Sequence, residues 1–534
     1  MNARTEVRPI DDLRSYIAAL EAHGELHRVK AEVDWKFELC HVSKVNEEKK
    51  GPALLYENVK GHDIPVFTSA FTTPKRLAIA LEQDPSLTMC QLSRRWMELT
   101  TKQLIKPVVV DKPPVMENIV EGDAVDLEKF PVPWFYPDDG GRFFVTAGYL
   151  VTKDPDTGWT NLGTYRSQVL GKNILGSQII KGKHGDMHMK KYQERGELMP
   201  AAAVVGCDPV LFLAGSTLVS AQTDEYDIAG ALRGRPVPVF KSELTGLTLP
   251  ANAEIIAEGF IDPNELMDEG PFGEYTGYYS GNKGKDCPKP VLRVKRILYR
   301  NKPVFWATTV GKPINDIHMI QSLNRTGALW HDLETMKVPG IMSVYQPAAA
   351  TGRFWAIVSV KQMYPGHSNH VGNAVIASTT GHYGVKGDRR RPRHRGRRHG
   401  PRLVGAGDAL RPQALGADHR PRPLDAAGPG PADRGARHHE PHHPRRLHAV
   451  RVEEQAVGDL HGPHRAAEGV GPLERVRLRR RQPRGRHDRP PDAAGGGEED
   501  QERLTRPTRP TRLTRSEKRA AISRQRAATT RTSP

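Results

Sequence analysis

The sequence has only four cysteines, and no two of them form a Cys-x-x-Cys pair. Zinc sites and disulfide-stapled folds need clustered or paired cysteines, so the sequence predicts reduced thiols and a cytoplasmic protein. It also lacks an apolar run long enough to span a membrane, because the most apolar stretch, residues 201–215, is interrupted by Cys207, Asp208 and Pro209. The polar start of the chain is not followed by an apolar region, so no signal peptide is expected.

Aromatic residues are missing from the end of the chain. Residues 388–534 contain no Phe, Trp, Tyr or Asn and a single isoleucine, Ile522. This segment holds 34 Arg, one Lys and 18 acidic residues, so it carries the whole net charge of +17 and residues 1–387 carry none. A segment so poor in apolar residues cannot offset its chain entropy by burial, and we expect a disordered basic tail. Nucleic-acid binding through that tail is one function that this composition allows.

Residues 1–387 contain alternating helix and strand signals. Residues 11–24 begin with two capping acids, carry apolar residues at helical spacing and end on Gly24, which predicts a helix. The other elements that these patterns predict are strands over 53–59 and 64–67 around a Lys60-Gly61 turn, a helix over 73–82, β-branched strands between 143 and 305, a helix over 317–334 and a strand from Gly352.

These elements predict a mixed α/β (α+β) fold built from several domains, since residues 1–387 are too many for one ordinary domain. The predicted parts are an N-terminal α/β domain over 1–115, a β-rich middle domain over 116–315, the start of a C-terminal α/β domain over 316–387, and the basic tail over 388–534.

Two short glycine-containing segments bring together one cation and two carboxylates. Asn161-Leu-Gly-Thr-Tyr-Arg166 supplies an arginine, and Glu269-Gly-Pro-Phe-Gly-Glu274 supplies two glutamates. Arginine stays protonated at any working pH, whereas a carboxylate near other carboxylates and apolar walls can hold its proton at neutral pH. Such a trio can therefore deliver a proton in general acid catalysis. The plainer interpretation is an arginine that pairs two surface acids.

The motifs Asn161-Leu-Gly-Thr-Tyr-Arg166 and Gly270-Pro-Phe-Gly-Glu-Tyr-Thr-Gly-Tyr resemble those of the UbiD-like decarboxylases, which use prenylated flavin mononucleotide (prenylated FMN). The resemblance extends over residues 5–387. It implies a central split β-barrel that binds the flavin, and non-oxidative decarboxylation of an aromatic, phenolic or α,β-unsaturated acid. It also implies that Glu274 protonates the substrate carbon, that Arg166 orients the carboxylates and the substrate, and that Glu269 tunes Glu274.

The same resemblance implies a cofactor site. Asn161, His184 and Glu225 match the ligands of a divalent ion, Mn²⁺ or Mg²⁺, that anchors the flavin phosphate, and K⁺ is a further candidate ion. By residue type alone, these three could equally be a turn residue, a loop histidine and a helix N-terminal charge. His188 is a rival ligand, although the spacing from Asn161 favours His184. The residues that the resemblance places around the cofactor are Asn161, Thr164, Tyr165, Arg166, Lys183, His184, Glu225 and Lys386.

The tail carries a second signal, in the genetic code. Moving the reading frame forward by one base keeps two bases of every codon fixed by the written sequence, so each position permits only a few residue types. Over residues 450–463 the shifted frame permits F-E-W-K-N-K-P-W-E-I-Y-M-D, which resembles the C-terminal region of UbiD-like proteins. Further resembling phrases are permitted over 388–411 and 464–479, in order and in one frame. We therefore predict a frameshift just after Lys386, and an unstable or inactive chain as written.

The resemblance also implies partners. A separate flavin prenyltransferase supplies the cofactor, a small aromatic or unsaturated carboxylic acid is the substrate, and the in-frame parent forms homo-oligomers through its C-terminal region. No membrane partner is expected. Two alternatives stay open at this point: a flavin-binding protein without turnover, and a nucleic-acid-binding protein that acts through the basic tail.

Overall fold

The structure, a computed structural model, describes residues 9–101, 103–280, 287–381 and 402–405. Its first elements confirm the predicted alternation of helix and strand. The first helix begins after Asp12, whose carboxylate accepts a hydrogen bond from the Ser15 N–H at 2.7 Å, and its apolar face packs into the core. The elements are α1 (Leu13–Ala22), β1 (Leu26–Val29), α2 (Glu38–Glu48), β2 (Ala53–Tyr56), β3 (Val66–Thr68), α3 (Pro74–Ala80) and α4 (Met89–Thr100).

The middle of the chain is rich in strands, as the β-branched runs predict, and it also contains three helices that those runs did not reveal. Its elements are β4 (Val108–Val109), β5 (Asn118–Glu121), β6 (Phe143–Val145), β7 (Gly148–Lys153), β8 (Thr160–Gly163), β9 (Ser167–Gly171), β10 (Ile174–Ser177), α5 (His184–Arg195), β11 (Met199–Val205), α6 (Pro209–Gly215), α7 (Glu225–Arg233), β12 (Pro238–Lys241), β13 (Thr248–Pro250), β14 (Ile255–Asp268), β15 (Phe272–Gly273), β16 (Tyr279–Ser280), β17 (Pro288–Tyr299) and β18 (Phe305–Trp306). Short 3₁₀ helices lie at Pro114–Glu117, Gly122–Ala124 and Leu127–Lys129.

One large antiparallel sheet dominates this region. Its strands follow the order β6-β9-β10-β17-β14-β11-β7-β8, and β5 pairs with β17. The two long strands β14 and β17 change register at Gly259, where a Cβ atom would lie 2.0 Å from the carbonyl oxygen of Arg293, so only glycine fits this bend. Among the described residues the sheet stays open between β6 and β8, which agrees with a split rather than a closed barrel.

The C-terminal part begins with a long helix, close to the one predicted over 317–334. Its elements are α8 (Asp316–Thr335), β19 (Ile341–Tyr345), a 3₁₀ helix (Ala348–Ala350), β20 (Ile357–Val360), α9 (His367–Ala377) and β21 (Arg402–Gly405). The strand predicted from Gly352 was wrong at its start, since Thr351 and Gly352 adopt left-handed backbone angles, with φ of 61° and 67°, and the strand begins only at Ile357.

The predicted disordered tail contains one exception. Arg402–Gly405 forms β21, which pairs antiparallel with β20, whereas we expected no regular structure after residue 387. An edge strand offers unpaired backbone groups that an extended segment can bind, whatever its side chains. The rest of the tail lies outside the described residues.

Two strand pairings cross the predicted domain boundary at 115. β18 joins the N-terminal sheet beside β3, giving the order β1-β2-β3-β18, and β4 pairs with β12 of the middle region. The Trp306 indole packs against Phe67, Phe71 and Phe212, with ring centroids 5.4–5.9 Å apart. These ring contacts join the N-terminal sheet to α6. The N-terminal and middle regions therefore share one apolar core, which supports the site described below.

The C-terminal segment is less well covered. Large apolar side chains are exposed there: Met336, Met342, Trp355, Met363 and Tyr364. Across the part of the chain that the structure describes, no helix combines the length and the apolar character needed to cross a membrane.

Candidate active site

The structure brings Arg166, Glu269 and Glu274 together. Arg166 lies between β8 and β9, and its guanidinium donates two hydrogen bonds to the Glu269 carboxylate, from Nε at 2.9 Å and from Nη2 at 2.7 Å. Its Nη1 pairs with Oε1 of Glu274. The fork of one arginine thus holds both carboxylates, a geometry that lysine could not reproduce.

The three side chains differ in exposure. Glu269 is fully buried, Arg166 is 12% exposed and Glu274 is 25% exposed. Burial alone would lower the pKa of Arg166, but the hydrogen bond and charge of Glu269, with the charge of Glu274, raise it above its ordinary value. The guanidinium also lies 4.5 Å from the centre of the Phe272 ring. Arg166 is therefore a fixed cation, and Glu274 is the carboxylate that solvent or a substrate can reach.

Glu274 sits on a short hairpin, residues 269–280, which we call the acid hairpin. The Glu274 N–H donates to the Tyr278 carbonyl at 2.8 Å, and Gly277 takes a φ of 86° in the turn, a conformation that favours glycine. The turn also contacts α8. Because the Asn315 N–H donates to Nδ1 of His318 at 3.1 Å, Nε2 carries the ring proton and donates to the Tyr275 carbonyl at 2.6 Å. Burial lowers the pKa of His318 to about 4, so its ring is neutral.

A cavity of about 210 Å³ opens beside these residues, between the central sheet and α8. Arg353 reaches this cavity from the loop before β20, its guanidinium 4.5 Å from the centre of the Tyr275 ring, and donates to the Tyr275 hydroxyl at 3.3 Å. It also pairs with Gln321. The sequence analysis missed Arg353, since a single arginine next to Gly352 carries no local signal. The lining residues include Thr164, Tyr165, Arg166, Phe212, Phe272, Glu274, Tyr275, Ile317, Gln321 and Arg353.

The second predicted group surrounds β8. Asn161 lies in β8 and its Nδ2 donates to Oγ1 of Thr152 at 3.3 Å. The neighbouring Leu162 N–H donates to Oε2 of Glu225 at 3.0 Å, which brings the first residue of α7 to the strand. The Tyr165 hydroxyl accepts a hydrogen bond from the Gly185 N–H at 3.1 Å, so the start of α5 reaches the same place.

Two histidines of α5 pack on one indole next to β8. The rings of His184 and His188, one helical turn apart, lie 4.7 and 4.8 Å from Trp159. His188 is fully buried, with Nδ1 3.0 Å from Oγ1 of Thr152, and its Nε2 has no hydrogen-bond partner among the described residues. Asn161 thus lies in β8, Glu225 contacts this strand, and His184 and His188 pack on Trp159 directly before it.

Three family models match the chain. The 3-octaprenyl-4-hydroxybenzoate carboxy-lyase Rift-related domain matches residues 106–313, the N-terminal domain of the same family matches residues 17–96, and its C-terminal domain matches residues 318–387. Together they account for most of residues 17–387. The chain belongs to the UbiD family. Its members are carboxy-lyases, so the chain is that of an enzyme that makes or breaks a bond to CO₂.

Solved structures of UbiD-class enzymes resemble the chain over most of their length. An evolved dimeric form of HmfF from Pelotomaculum thermopropionicum, in complex with prFMN (prenylated FMN), is 29% identical with a TM-score of 0.64, over 69% of this chain and 83% of that one. The open form of the vanillic acid decarboxylase of Sedimentibacter hydroxybenzoicus is 28% identical with a TM-score of 0.65, over 71% and 80%. The apo 3,4-dihydroxybenzoic acid decarboxylase of Enterobacter cloacae is 26% identical with a TM-score of 0.63, over 70% and 80%.

The UbiD-like residues around β8 fit a divalent ion chemically. Within the described residues, no three His, Cys, Asp or Glu side chains form a metal-holding cluster, so an ion bound to His184 and Glu225 would need a ligand of another type, such as the amide oxygen of Asn161. Burial raises the pKa of Glu225 to about 8, and a nearby cation would remove the cost of ionising it. Burial, with the charge of Lys183, lowers the pKa of His184 and keeps its ring neutral, as a metal ligand must be.

The remaining predicted cofactor residues lie at the edges of this region. Thr164 is exposed toward the cavity, Tyr165 is buried beneath it, and Lys183 is half-buried at the start of α5. Lys386 lies outside the described residues. A further residue that the sequence analysis missed, Asp139, is buried directly behind the acid hairpin, and burial raises its pKa to about 6 against the hydrogen bonds that it accepts. Its only sequence signal is an Asp-Asp-Gly-Gly turn, which is common in loops.

Proposed function

We propose that residues 1–387 are the body of a prenylated-FMN-dependent decarboxylase acting on an aromatic, phenolic or α,β-unsaturated carboxylic acid, with Glu274 as the proton donor. One observation carries the proposal: Arg166 holds two glutamates at the wall of a cavity, and the one that faces the cavity is Glu274. A surface ion pair would not be expected to bury Glu269 completely.

The reaction needs an electron sink and then a proton. Breaking the bond to the carboxylate releases CO₂ and leaves both bonding electrons on the substrate carbon. Prenylated FMN supplies the electron sink when it is bound, because no side chain can do so. Glu274 then gives its proton to that carbon, which forms the new C–H bond. Arg166 orients the substrate carboxylate and keeps Glu274 in place, and Glu269, with its charge neutralised by Arg166, tunes both.

The β8 region serves as the flavin anchor in this proposal. Asn161, His184 and Glu225 would hold Mn²⁺, or Mg²⁺ in its place, which would supply positive charge for the flavin phosphate, and K⁺ is a further candidate ion. Thr164 lines the cavity toward the flavin. Lys183 and Lys386 are the cations that offset the phosphate charge, and the Tyr165 hydroxyl fixes the start of α5 through Gly185.

The cavity supports a flat substrate. Phe272, Ile317 and Tyr275 give it apolar walls, whereas Arg353 and Gln321 provide donors at its α8 side. Two similar structures are those of enzymes named for vanillic acid and 3,4-dihydroxybenzoic acid, both hydroxylated aromatic acids. A phenolic acid, with its carboxylate toward Arg166, suits these walls.

The interrupted C-terminus is part of the proposal. The match to the family's C-terminal domain ends at residue 387, where the basic, aromatic-free composition begins. A frameshift after Lys386 accounts for both, and it removes the region through which the parent enzyme assembles and covers the flavin. We propose that the parent is a cytoplasmic homo-oligomer supplied with cofactor by a flavin prenyltransferase, and that the chain as written has lost activity.

The experiment compares the written chain with a variant whose frame is restored by one base after codon 386, each produced together with a flavin prenyltransferase. Release of CO₂ from phenolic acids is measured for both. We expect turnover from the restored chain, its loss by at least about a hundredfold in Glu274→Gln, and no change in Glu265→Gln, a carboxylate paired with Arg293 outside the cavity. Equal turnover of the two frames contradicts the frameshift, and turnover that survives Glu274→Gln contradicts the acid.

A further inference from the structure

The backbone of the acid hairpin is held by groups from outside it. Four of its N–H groups on either side of Pro271 have acceptors at hydrogen-bond distance. Two of those acceptors are side chains of other strands and loops, Asp139 and Gln168. The four bonds are Glu269 N–H to Cys287 O at 3.1 Å, Gly270 N–H to Gln168 Oε1 at 2.7 Å, Gly273 N–H to Asp139 Oδ1 at 3.0 Å and Glu274 N–H to Tyr278 O at 2.8 Å.

Asp139 contacts the hairpin just before the proton donor. Its Oδ1 accepts a hydrogen bond from the N–H of Gly273 in β15, the residue directly before Glu274. Oδ2 accepts from the Tyr136 N–H at 3.1 Å, which fixes the carboxylate within its own loop. Asp139 is 4% exposed, so water cannot easily replace these bonds.

The backbone of the loop that carries Asp139 is in direct contact with the backbone of the hairpin. A Cβ atom on Gly140 would lie 2.1 Å from Cα of Gly270, and one on Gly270 would lie 2.3 Å from Cα of Gly140. The Gly140 N–H donates to the Pro271 carbonyl at 2.7 Å. Both glycines are needed for this backbone contact, which leaves the hairpin little room to move.

We propose that Asp139 is a positioning residue for the proton donor: by accepting from the Gly273 N–H, on a loop whose backbone contacts Gly270 and Pro271, it fixes the hairpin so that Glu274 faces the cavity. This inference rests on the proposed function for the role of Glu274, but the restraint on the hairpin stands on the contacts alone. A buried carboxylate suits this task, since charge-assisted hydrogen bonds from N–H and O–H donors are shorter and stronger than neutral ones. Displacing a proton donor by even 1 Å costs about a hundredfold in rate.

The restraint is tested by amide hydrogen exchange on the whole chain, which needs no turnover. In Asp139→Ala, exchange of the segment 270–274 is expected to accelerate about tenfold or more, while β11 in the same domain keeps its protection. Asp139→Asn retains an acceptor for the Gly273 N–H but turns an amide donor toward the Tyr136 N–H, so its exchange rate over 270–274 should lie between those of the parent and of Asp139→Ala. The matched control is Asp154→Asn, because Asp154 is equally buried and accepts N–H groups of Asp156 and Thr157 in another loop.

The kinetic arm uses the frame-restored chain. Asp139→Ala is expected to lower kcat by about 10- to 100-fold and to change KM by less than about threefold, since Arg166 still binds the substrate. Asp139→Asn should recover part of kcat, whereas Asp154→Asn should change neither kcat nor KM. Unaltered exchange at 270–274, or acceleration spread evenly over the sheet, overturns the inference. Absence of turnover in the parent counts against the proposed function alone, because the exchange result still decides the role of Asp139.

Discussion

Glu269 and Glu225 are both buried carboxylates near the ends of β8, yet they are neutralised in different ways. Glu269 receives two hydrogen bonds from Arg166, whose third guanidinium nitrogen binds Glu274. Glu225 accepts a backbone N–H from Leu162, and its pKa is raised to about 8 by burial. The acid site (Arg166, Glu269 and Glu274) is therefore neutralised by an ion pair within the chain, whereas at the β8 site (Asn161, His184 and Glu225) the Glu225 carboxylate has no ion pair among the described residues.

The difference explains what each site requires before catalysis. A preformed arginine–carboxylate network needs no reorganisation when the substrate arrives, which is the property that electrostatic catalysis depends on. If the proposed ion binds at the β8 site, that site gains its negative charge only on binding, which would link ion binding to the ionisation of Glu225. Near it, His188 has a buried Nε2 without a hydrogen-bond partner among the described residues.

The largest expected effect comes from removing the internal cation. Arg166→Met leaves the Glu269 carboxylate buried without its partner, so the free energy of unfolding should fall by about 3–5 kcal/mol. Urea denaturation of the full chain measures this change. The control, Arg293→Met, breaks a half-exposed pair with Glu265 and should cost at most about 1 kcal/mol. If the free energy of unfolding falls equally in the two variants, the Arg166 site is no different from an ordinary surface ion pair.

At the β8 site, removing a charged group should have the opposite effect on stability. Without metal, Glu225→Gln is expected to leave the protein as stable as before or more stable, because it removes a carboxylate that is costly to ionise. Mn²⁺ at a hundred times its Kd should stabilise the unmodified chain by about 2.7 kcal/mol and the Glu225→Gln variant hardly at all.

Thermal unfolding with and without Mn²⁺ provides the measurement, and Glu274→Gln is the matched control. It changes a carboxylate of the same size at the acid site and should keep the full Mn²⁺ effect. If Mn²⁺ stabilises Glu225→Gln as strongly as the parent, the ion binds elsewhere and the comparison between the two sites fails.

Much of the architecture was predictable because local signals agree with the fold. The capping acids before α1 and the β-branched runs of the central sheet each gave a correct element. The three helices α5, α6 and α7 were missed, since α6 and α7 are short and buried along nearly their whole length, and α5 is so polar that few apolar residues mark its buried face. The start of β20 was misplaced because left-handed backbone at Thr351 depends on the 3₁₀ turn before it.

The chemistry of the site was predictable only in part. Arg166, Glu269 and Glu274 lie in distinctive motifs, and the structure brings them into contact. Asp139 and Arg353 were not predicted, because each contacts the acid hairpin only in the folded chain and neither lies in a recognisable local pattern. Residues that support a site from a distant loop become visible only when the chain is folded.

Glu47, a buried carboxylate away from both sites, provides a reference for how the free energy of unfolding depends on pH. Burial, with the nearby charge of Asp316, raises the pKa of Glu47 from 4.5 to about 8, although it accepts hydrogen bonds from Thr309 at 2.5 Å and Ser69 at 3.2 Å. Between these two pKa values the folded chain keeps a proton that the unfolded chain has released. The free energy of unfolding should therefore fall as pH rises from about 4.5 to about 8, by at most about 1.4 kcal/mol per pH unit from this group, and not further above pH 8.

Glu47→Gln isolates this contribution, since glutamine preserves the shape and does not titrate. Urea denaturation between pH 5 and 8 should show a flatter pH dependence in the variant than in the parent, both with and without Mn²⁺. The parallel comparison for Glu225 should depend on the ion, because bound Mn²⁺ keeps that carboxylate ionised throughout. The contribution of Glu47 to the pH dependence of the free energy of unfolding should be the same with and without Mn²⁺. If Mn²⁺ abolishes it, the ion acts on the whole fold, and the β8 site is not a separate, cation-requiring part of the molecule.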